Sequence, residues 1–259
     1  METADALFEG RLLLRQPRIG YRFSADAPLL VWFASRAPAR RARRAVDLGA
    51  GCGVVGLGLL MADAAERVVA VEIQSRLAAL CAENAAENGL ADRLQVVNED
   101  MRSGSPALAR RRFDLVVTNP PFWPADSGHL PEDEERRIAC HEVRIDLDGW
   151  IDVAARLLER RRGRLCAVFP ARRTAELLAA LSGRGLGATA ILAVHPSPDA
   201  EAGLVLVEAR HGAARPIAVE PPLFLRQRCD RDSEAARAVF GGAFSEALAR
   251  RPDRRRPAE

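Results

Sequence analysis

The sequence predicts an α/β fold of the doubly wound, open-sheet class, on three observations. From about Arg44 onward, short Val-rich apolar runs alternate with Ala- and Leu-rich stretches of helical length, which is the pattern of βαβ units around a parallel sheet. The first apolar run ends in a glycine turn, Gly49-Ala50-Gly51-Cys52-Gly53, that opens directly into a helix. Polar or proline-bearing residues then follow successive strand ends, where open parallel sheets bind ligands.

Taken in order, the strands are expected at residues 45–48, 68–73, 94–97, 115–118, 165–169, 189–194 and 204–209. Helices are expected at 55–62, 75–88, 149–159 and 172–181. In the second helix Leu77, Leu80 and Cys81 recur at helical spacing, Glu83, Asn84 and Glu87 lie on other faces, and Gly89 supplies the stop. Residues 124–148 are charged, Pro-containing and aperiodic, so they are read as a long connection of the kind that forms binding loops. Beyond Gly212, Pro216, Pro221 and Pro222 interrupt a short apolar segment at 217–225, and a helix is expected at 233–249.

With 259 residues and 48% hydrophobic content the chain can bury one large core, so a single domain is expected. There is no run of about 18 uncharged apolar residues, and the start lacks the basic-then-apolar order of a secretory signal, so a cytoplasmic location is expected. Cys52, Cys81, Cys140, Cys166 and Cys229 are odd in number and widely spaced, which reads as reduced thiols. His129, His141, His195 and His211 are too scattered to suggest a metal site. Net charge is only +3, but arginines cluster at 40–44, 110–112, 160–162 and 250–256. One cluster alone is a solvated face; several together point to a phosphate-bearing partner.

Glycines in the first βα turn let the backbone bend tightly and approach a ligand that a Cβ would exclude. Glu72 closes the second strand, about twenty positions on, where a carboxylate can accept from both hydroxyls of a ribose. The spacing of Gly51, Gly53 and Gly56 also fits a dinucleotide turn. Asp47 would repel a pyrophosphate, however, and suits the amino and sulfonium groups of S-adenosylmethionine. Asp100, after the third strand, is placed to accept from the adenine amino group of that cofactor, or to cap a turn.

The second signal is Asn119-Pro120-Pro121-Phe122, directly after the strand at 115–118. The prolines stiffen the backbone, so the Asn119 amide and the Pro120 carbonyl can accept from one NH2 group while Phe122 offers a ring for stacking. Trp123, beside Phe122, is a lesser candidate; Trp32 and Trp150 read as packing residues. No general base is required, because a neutral amine can attack a sulfonium methyl group and lose its proton afterwards.

These motifs resemble class I methyltransferases of the N-P-P-[FY] type. The segment from Gln16 to Leu30 resembles the one that precedes the glycine motif in bacterial valine-tRNA (adenine-N(6)) methyltransferases. The resemblance runs to about Arg210. It implies a Rossmann-like, seven-stranded methyltransferase sheet with an antiparallel last strand. It also implies S-adenosylmethionine bound by Asp47, Gly49, Gly51, Gly53, Glu72, Asp100 and Asn119, with the segment from Tyr21 to Asp26 closing over it. Phe122 stands where Tyr is commoner. Residues 1–43 form an N-terminal closing segment, 44–211 a catalytic core, and 212–259 an appendage with an Arg-rich tail. Other readings are a protein-glutamine methyltransferase, an rRNA guanine amino methyltransferase, a non-catalytic cofactor-binding module and a nicotinamide oxidoreductase; Asn119 and Phe122 count against the module, Asp47 against the oxidoreductase.

Overall fold

A computed structural model of the chain describes residues 2–20, 22–36, 41–103, 108, 111–122, 138–139, 145–212, 216–228 and 231–242. Tyr21, Arg40, Arg110, Trp123, His129, Cys140, His141, Cys229, most of the 124–148 connection and the tail beyond Leu248 lie outside these residues.

The chain opens on an antiparallel hairpin, β1 (Glu2–Leu7) and β2 (Leu12–Pro17), followed by helix α1 (Asp26–Ser35). Sequence reasoning placed no element before Arg44. The reason is visible in α1, where nine of ten residues are buried. A helix buried all round carries no polar stripe and so no 3.6-residue signal. Its Pro28 sits in the first turn, where a missing N–H costs nothing.

The remaining elements are β3 (Ala42–Leu48), α2 (Val54–Met61), β4 (Ala65–Glu72), α3 (Ser75–Glu87), β5 (Leu94–Asn98), β6 (Leu115–Thr118), α4 (Leu147–Leu157), β7 (Arg164–Pro170), α5 (Thr174–Gly183), β8 (Leu186–His195), β9 (Leu204–His211), β10 (Ala218–Val219), β11 (Leu223–Phe224) and α6 (Glu234–Phe240). The sheet order is β5-β4-β3-β6-β7-β9-β8-β10, with β11 also on β8. Every pairing is parallel except those of β9, which runs antiparallel to β7 and β8. The seven expected strands are therefore all present, the last of them antiparallel. Two short strands extend the β8 edge, separated by Pro221 and Pro222, which cannot donate to a ladder.

Side chains alternate across the sheet. Ala45, Val68 and Ala70 join the core beneath α1, α2 and α3, whereas Val46, Val69 and Val71 join the core beneath α4 and α5. Chain order reverses between β3 and β6, which makes their carboxyl ends the topological switch point.

Three expectations are corrected. Asn84 is not on an outer face of α3 but fully buried: its Nδ2 donates to the carbonyls of Arg15 and Cys52, both at 2.9 Å, and its Oδ1 accepts from Arg15 N at 2.7 Å. A buried amide satisfied by backbone looks polar in sequence and behaves as core. The last helix stops at Phe240 rather than running to 249, because Gly241 and Gly242 follow and Gly242 has φ +71°. Helix α4 begins at Leu147, because Asp146 accepts from Gly149 N at 2.8 Å as its N-cap. Gly89, by contrast, ends α3 as expected, with Gly89 N bonded to Ala86 O and Leu90 N to Ala85 O, the two bonds of a Schellman cap.

Candidate active site

Packing decides what each glycine of the first turn does. Gly49, Gly51 and Gly53 have φ of +74°, +57° and +95°, and Gly49 N and Ala50 N both donate to Val71 O at 3.0 Å, tying the turn to β4. A Cβ on Gly53 would lie 2.7 Å from Cys81 Sγ, so this glycine serves α2–α3 packing. A Cβ on Gly49 would meet nothing within 4 Å. Gly49 and Gly51 line a cleft at the carboxyl ends of the strands, and Gly53 does not.

Glu72, only 5% exposed, lines the same cleft and organises it. Its Oε2 accepts from Gly51 N and its Oε1 from Gln74 N, each at 2.8 Å, so one carboxylate joins the glycine turn to the start of α3. Each oxygen of a carboxylate can accept more than one hydrogen bond. Asn98 Nδ2 steadies the end of β4 by donating to Glu72 O at 2.8 Å and Ile73 O at 3.2 Å.

Asp47 lies one layer below. It is 1% exposed, does not line the cleft, and its Oδ2 accepts from Gly56 N at 2.9 Å, near the start of α2. Burial pushes its carboxyl up to about 7; the Gly56 bond opposes this and nearby Glu72 adds to it. Asp100 engages Arg102 through Oδ2–NH2 at 2.6 Å and accepts from Arg102 N at 2.9 Å, so the turn-capping role is the one seen in its contacts. Asp26 is buried at the start of α1, where Oδ1 accepts from Ser24 Oγ at 2.5 Å and Ala27 N at 3.0 Å; it does not line the cleft. Tyr21 lies outside the described residues.

The Asn-Pro-Pro-Phe segment leaves β6 beside the glycine turn, and Thr118 Oγ1 donates to Leu48 O at 2.9 Å to lock the two strand ends together. Asn119 and Pro121 line the cleft, and Pro120 is buried behind them. Asn119 is half-buried, and its side-chain amide has no hydrogen-bond partner among the described residues. Phe122 is half-buried and meets Phe169 edge-on, with centroids 6.4 Å apart and planes at 80°.

Sequence reasoning missed Arg173 in this role. Arg173 NH1 donates to Phe122 O at 2.8 Å, its guanidinium lies 4.9 Å over the Phe169 ring, and Glu176 holds its other side at 2.6 Å. The arginine therefore fixes the end of the Pro-Pro-Phe segment against β7. No motif announces it, because it belongs to a 3-10 turn far along the chain. The apolar cleft wall was also missed: Ile73, Leu77, Met101, Ile138 and Ile145 line it, and none carries a polar signature.

The cysteines inside the described region are free and buried, and burial pushes Cys52 and Cys166 up to about 12 and raises Cys81 as well. They are packing thiols rather than nucleophiles. His195 and His211 contact the backbone carbonyls of Ala200 and Ala155, away from the cleft. Among the described residues, no group of three or more His, Cys, Asp or Glu is placed to hold a metal, and no helix is long and apolar enough to cross a membrane.

Comparison with known proteins places this geometry. Residues 29–131 match the family model described as the methyltransferase small domain. The tRNA1(Val) (adenine(37)-N6)-methyltransferase of Porphyromonas gingivalis is 32% identical over 204 residues, 77% of this chain and 78% of the relative. The protein of the same name from Dickeya chrysanthemi is 30% identical over 181 residues, 70% of each chain. Among solved structures, a predicted O-methyltransferase from Agrobacterium tumefaciens gives a TM-score of 0.65 at 24% identity, over 84% of this chain and 96% of that one. The tRNA m1G37 methyltransferase of M. jannaschii gives 0.58 at 14% identity, over 82% and 55%. The two structural likenesses establish the fold; the sequence identities go further, and the chain belongs to the tRNA1(Val) (adenine(37)-N6)-methyltransferase family.

Proposed function

We propose that this chain methylates the exocyclic N6 amino group of an adenine in tRNA, in the cytoplasm, using S-adenosylmethionine. The observation that carries the reading is Asn119, a half-buried amide on the cleft wall with no hydrogen-bond partner among the described residues, between a locked strand end and two prolines. Its Oδ1 and the Pro120 carbonyl accept from the two N–H bonds of one planar NH2 group, which directs the nitrogen lone pair along a single line.

The residues fit the methyl donor. Glu72 lines the cleft with a carboxylate, the acceptor type that a ribose requires, and Gly49 leaves open the space that a Cβ would fill. The Asp47 charge beneath the turn favours a cation above it. S-adenosylmethionine supplies an electrophilic methyl group when bound. The chain's own residues align the amine and, through Ile73, Leu77, Met101 and Ile145, keep water from the cleft. Arg173 positions Phe122, whose ring offers a stacking face to a base. Asp26, whose carboxylate accepts from Ser24 Oγ and Ala27 N, anchors the start of α1, where the segment proposed to close over the cofactor ends. The hairpin and α1 share one core with α2 and α3, so residues 1–259 are proposed to act as one domain.

The relatives' name places their methyl group at adenine 37 of tRNA1(Val). Incubation with unmodified tRNA and labelled S-adenosylmethionine, followed by nucleoside mass spectrometry, is expected to yield N6-methyladenosine. Label in guanosine, or only in protein glutamine, overturns the proposal.

A further inference from the structure

Three arginine clusters that are far apart in sequence meet at one end of the sheet, opposite the cleft. Arg43 and Arg44 open β3, Arg111 and Arg112 precede β6, and Arg160 to Arg162 precede β7, and these three strands are adjacent and parallel. The backbone links them directly, with Asp114 N bonded to Arg44 O at 2.9 Å and Arg164 N to Asp114 O at 3.0 Å.

Two hollows flank this junction. One of about 370 Å³ is lined by Arg44, Arg67, Arg93 and Arg111. The other, of about 400 Å³, is lined by Arg112, Arg156, Arg160 and Arg184. Eight of the twenty lining residues are arginine, against 38 in a chain of 259 that has no lysine, so the chain's arginine richness alone does not explain the concentration.

Little of this charge is neutralised locally. Asp92 is the one acidic residue in either lining. Arg184 is paired, with Asp152 at 2.6 Å and Asp148 at 3.1 Å, and Arg93 approaches Asp63 only to 3.8 Å. The nearby carboxylates face backbone instead: Asp114 accepts from Arg43 N and Arg44 N, and Glu159 from Arg161 N and Arg162 N. Arg67, Arg111 and Arg112 donate to neutral oxygens of Asp92, Gln95 and Arg111, which leaves most of their five donors unused. Arg44, Arg156 and Arg160 are exposed, and their guanidinium groups have no partner among the described residues.

We infer that this amino-terminal end of the sheet is a second contact surface, taking the sugar–phosphate backbone of the RNA substrate away from its target base. The inference rests on the tRNA reading above. Strands of four to eight residues rise about 3.3 Å per residue, so cleft and patch lie about 15–25 Å apart. RNA passes round the outside of the fold, a longer path than this straight line, so on the order of ten or more nucleotides at about 3.4 Å each connect the two, a length that full-length tRNA provides.

The test compares the full chain with Arg44→Gln/Arg156→Gln/Arg160→Gln, whose guanidinium groups have no partner among the described residues. Two RNAs are titrated over a salt series: full-length unmodified tRNA, and a stem-loop that carries the target adenine with too few nucleotides on either side to reach the patch. S-adenosylhomocysteine binding reports on fold and cleft. The triple variant is expected to bind tRNA about tenfold or more weakly at physiological salt. The slope of log affinity against log salt should be shallower by about 2, as loss of three phosphate contacts requires. Its affinities for the stem-loop and for S-adenosylhomocysteine should match wild type. Unchanged tRNA affinity, or an equal loss on the stem-loop, overturns the inference while leaving the tRNA reading intact wherever wild type binds and methylates tRNA. Failure of wild type to bind either RNA overturns both.

Discussion

Asp47→Asn is expected to make the protein more stable and a poorer enzyme. In the folded chain the carboxyl rises from 3.8 to about 7, because burial disfavours its charge more than the Gly56 bond favours it. A folded value above the unfolded one means that the native state binds the proton more tightly. The associated stability is complete below about pH 4 and is lost as pH rises through about 7. At 1.36 kcal/mol per unit, that loss is on the order of 4 kcal/mol by pH 8. Asparagine titrates nowhere in this range and keeps an oxygen to accept from Gly56 N. Urea unfolding should therefore show the variant and wild type within about 1 kcal/mol at pH 4.5, with the variant ahead by roughly 2–4 kcal/mol at pH 8. Its affinity for the cationic methyl donor should fall, as when a site is stabilised against its function. A gain that does not vary with pH, or a variant less stable at pH 8, refutes the reasoning.

Glu72→Ala removes the proposed ribose acceptor and also strands Gly51 N and Gln74 N, so S-adenosylhomocysteine affinity in calorimetry should fall by about 1.5–3 kcal/mol, with a lower melting temperature. Unchanged affinity removes Glu72 from the site. Arg173→Ala frees the Phe122 carbonyl and should lower kcat or raise KM for tRNA about tenfold or more, with S-adenosylhomocysteine affinity preserved. Arg173→Lys, which keeps a donor but loses the flat contact with Phe169, should recover part of the activity. If alanine leaves the steady-state constants unchanged, Arg173 has no positioning role.

What the sequence discloses follows from how each element is buried. The central strands are legible because both faces of a parallel sheet are covered, so Val-rich runs such as 68–71 stand out between turns. Helix α1 is hidden by the same logic, since uniform burial erases its amphipathic stripe. Gly49, Glu72 and Asn119 could be named in advance because the chemistry of a ribose or an amine demands those residue types at strand ends. Gly53 shares the motif but answers to Cys81, a distinction that only three-dimensional packing reveals. Arg173 and the junction of arginine clusters depend on contacts between segments distant in sequence, which spacing along the chain cannot express.

Asn119 offers the most direct test, because the proposed chemistry needs its amide and the fold does not. Single-turnover methyl transfer onto unmodified tRNA, measured beside S-adenosylhomocysteine binding, separates alignment of the amine from capture of the cofactor. Asn119→Ala is predicted to bind S-adenosylhomocysteine like wild type and to transfer methyl groups slower by roughly two orders of magnitude or more. Asn119→Asp, which keeps an acceptor oxygen and the shape, should retain part of the rate. Near-normal transfer by Asn119→Ala would contradict the assignment and reduce the Asn-Pro-Pro-Phe segment to a loop.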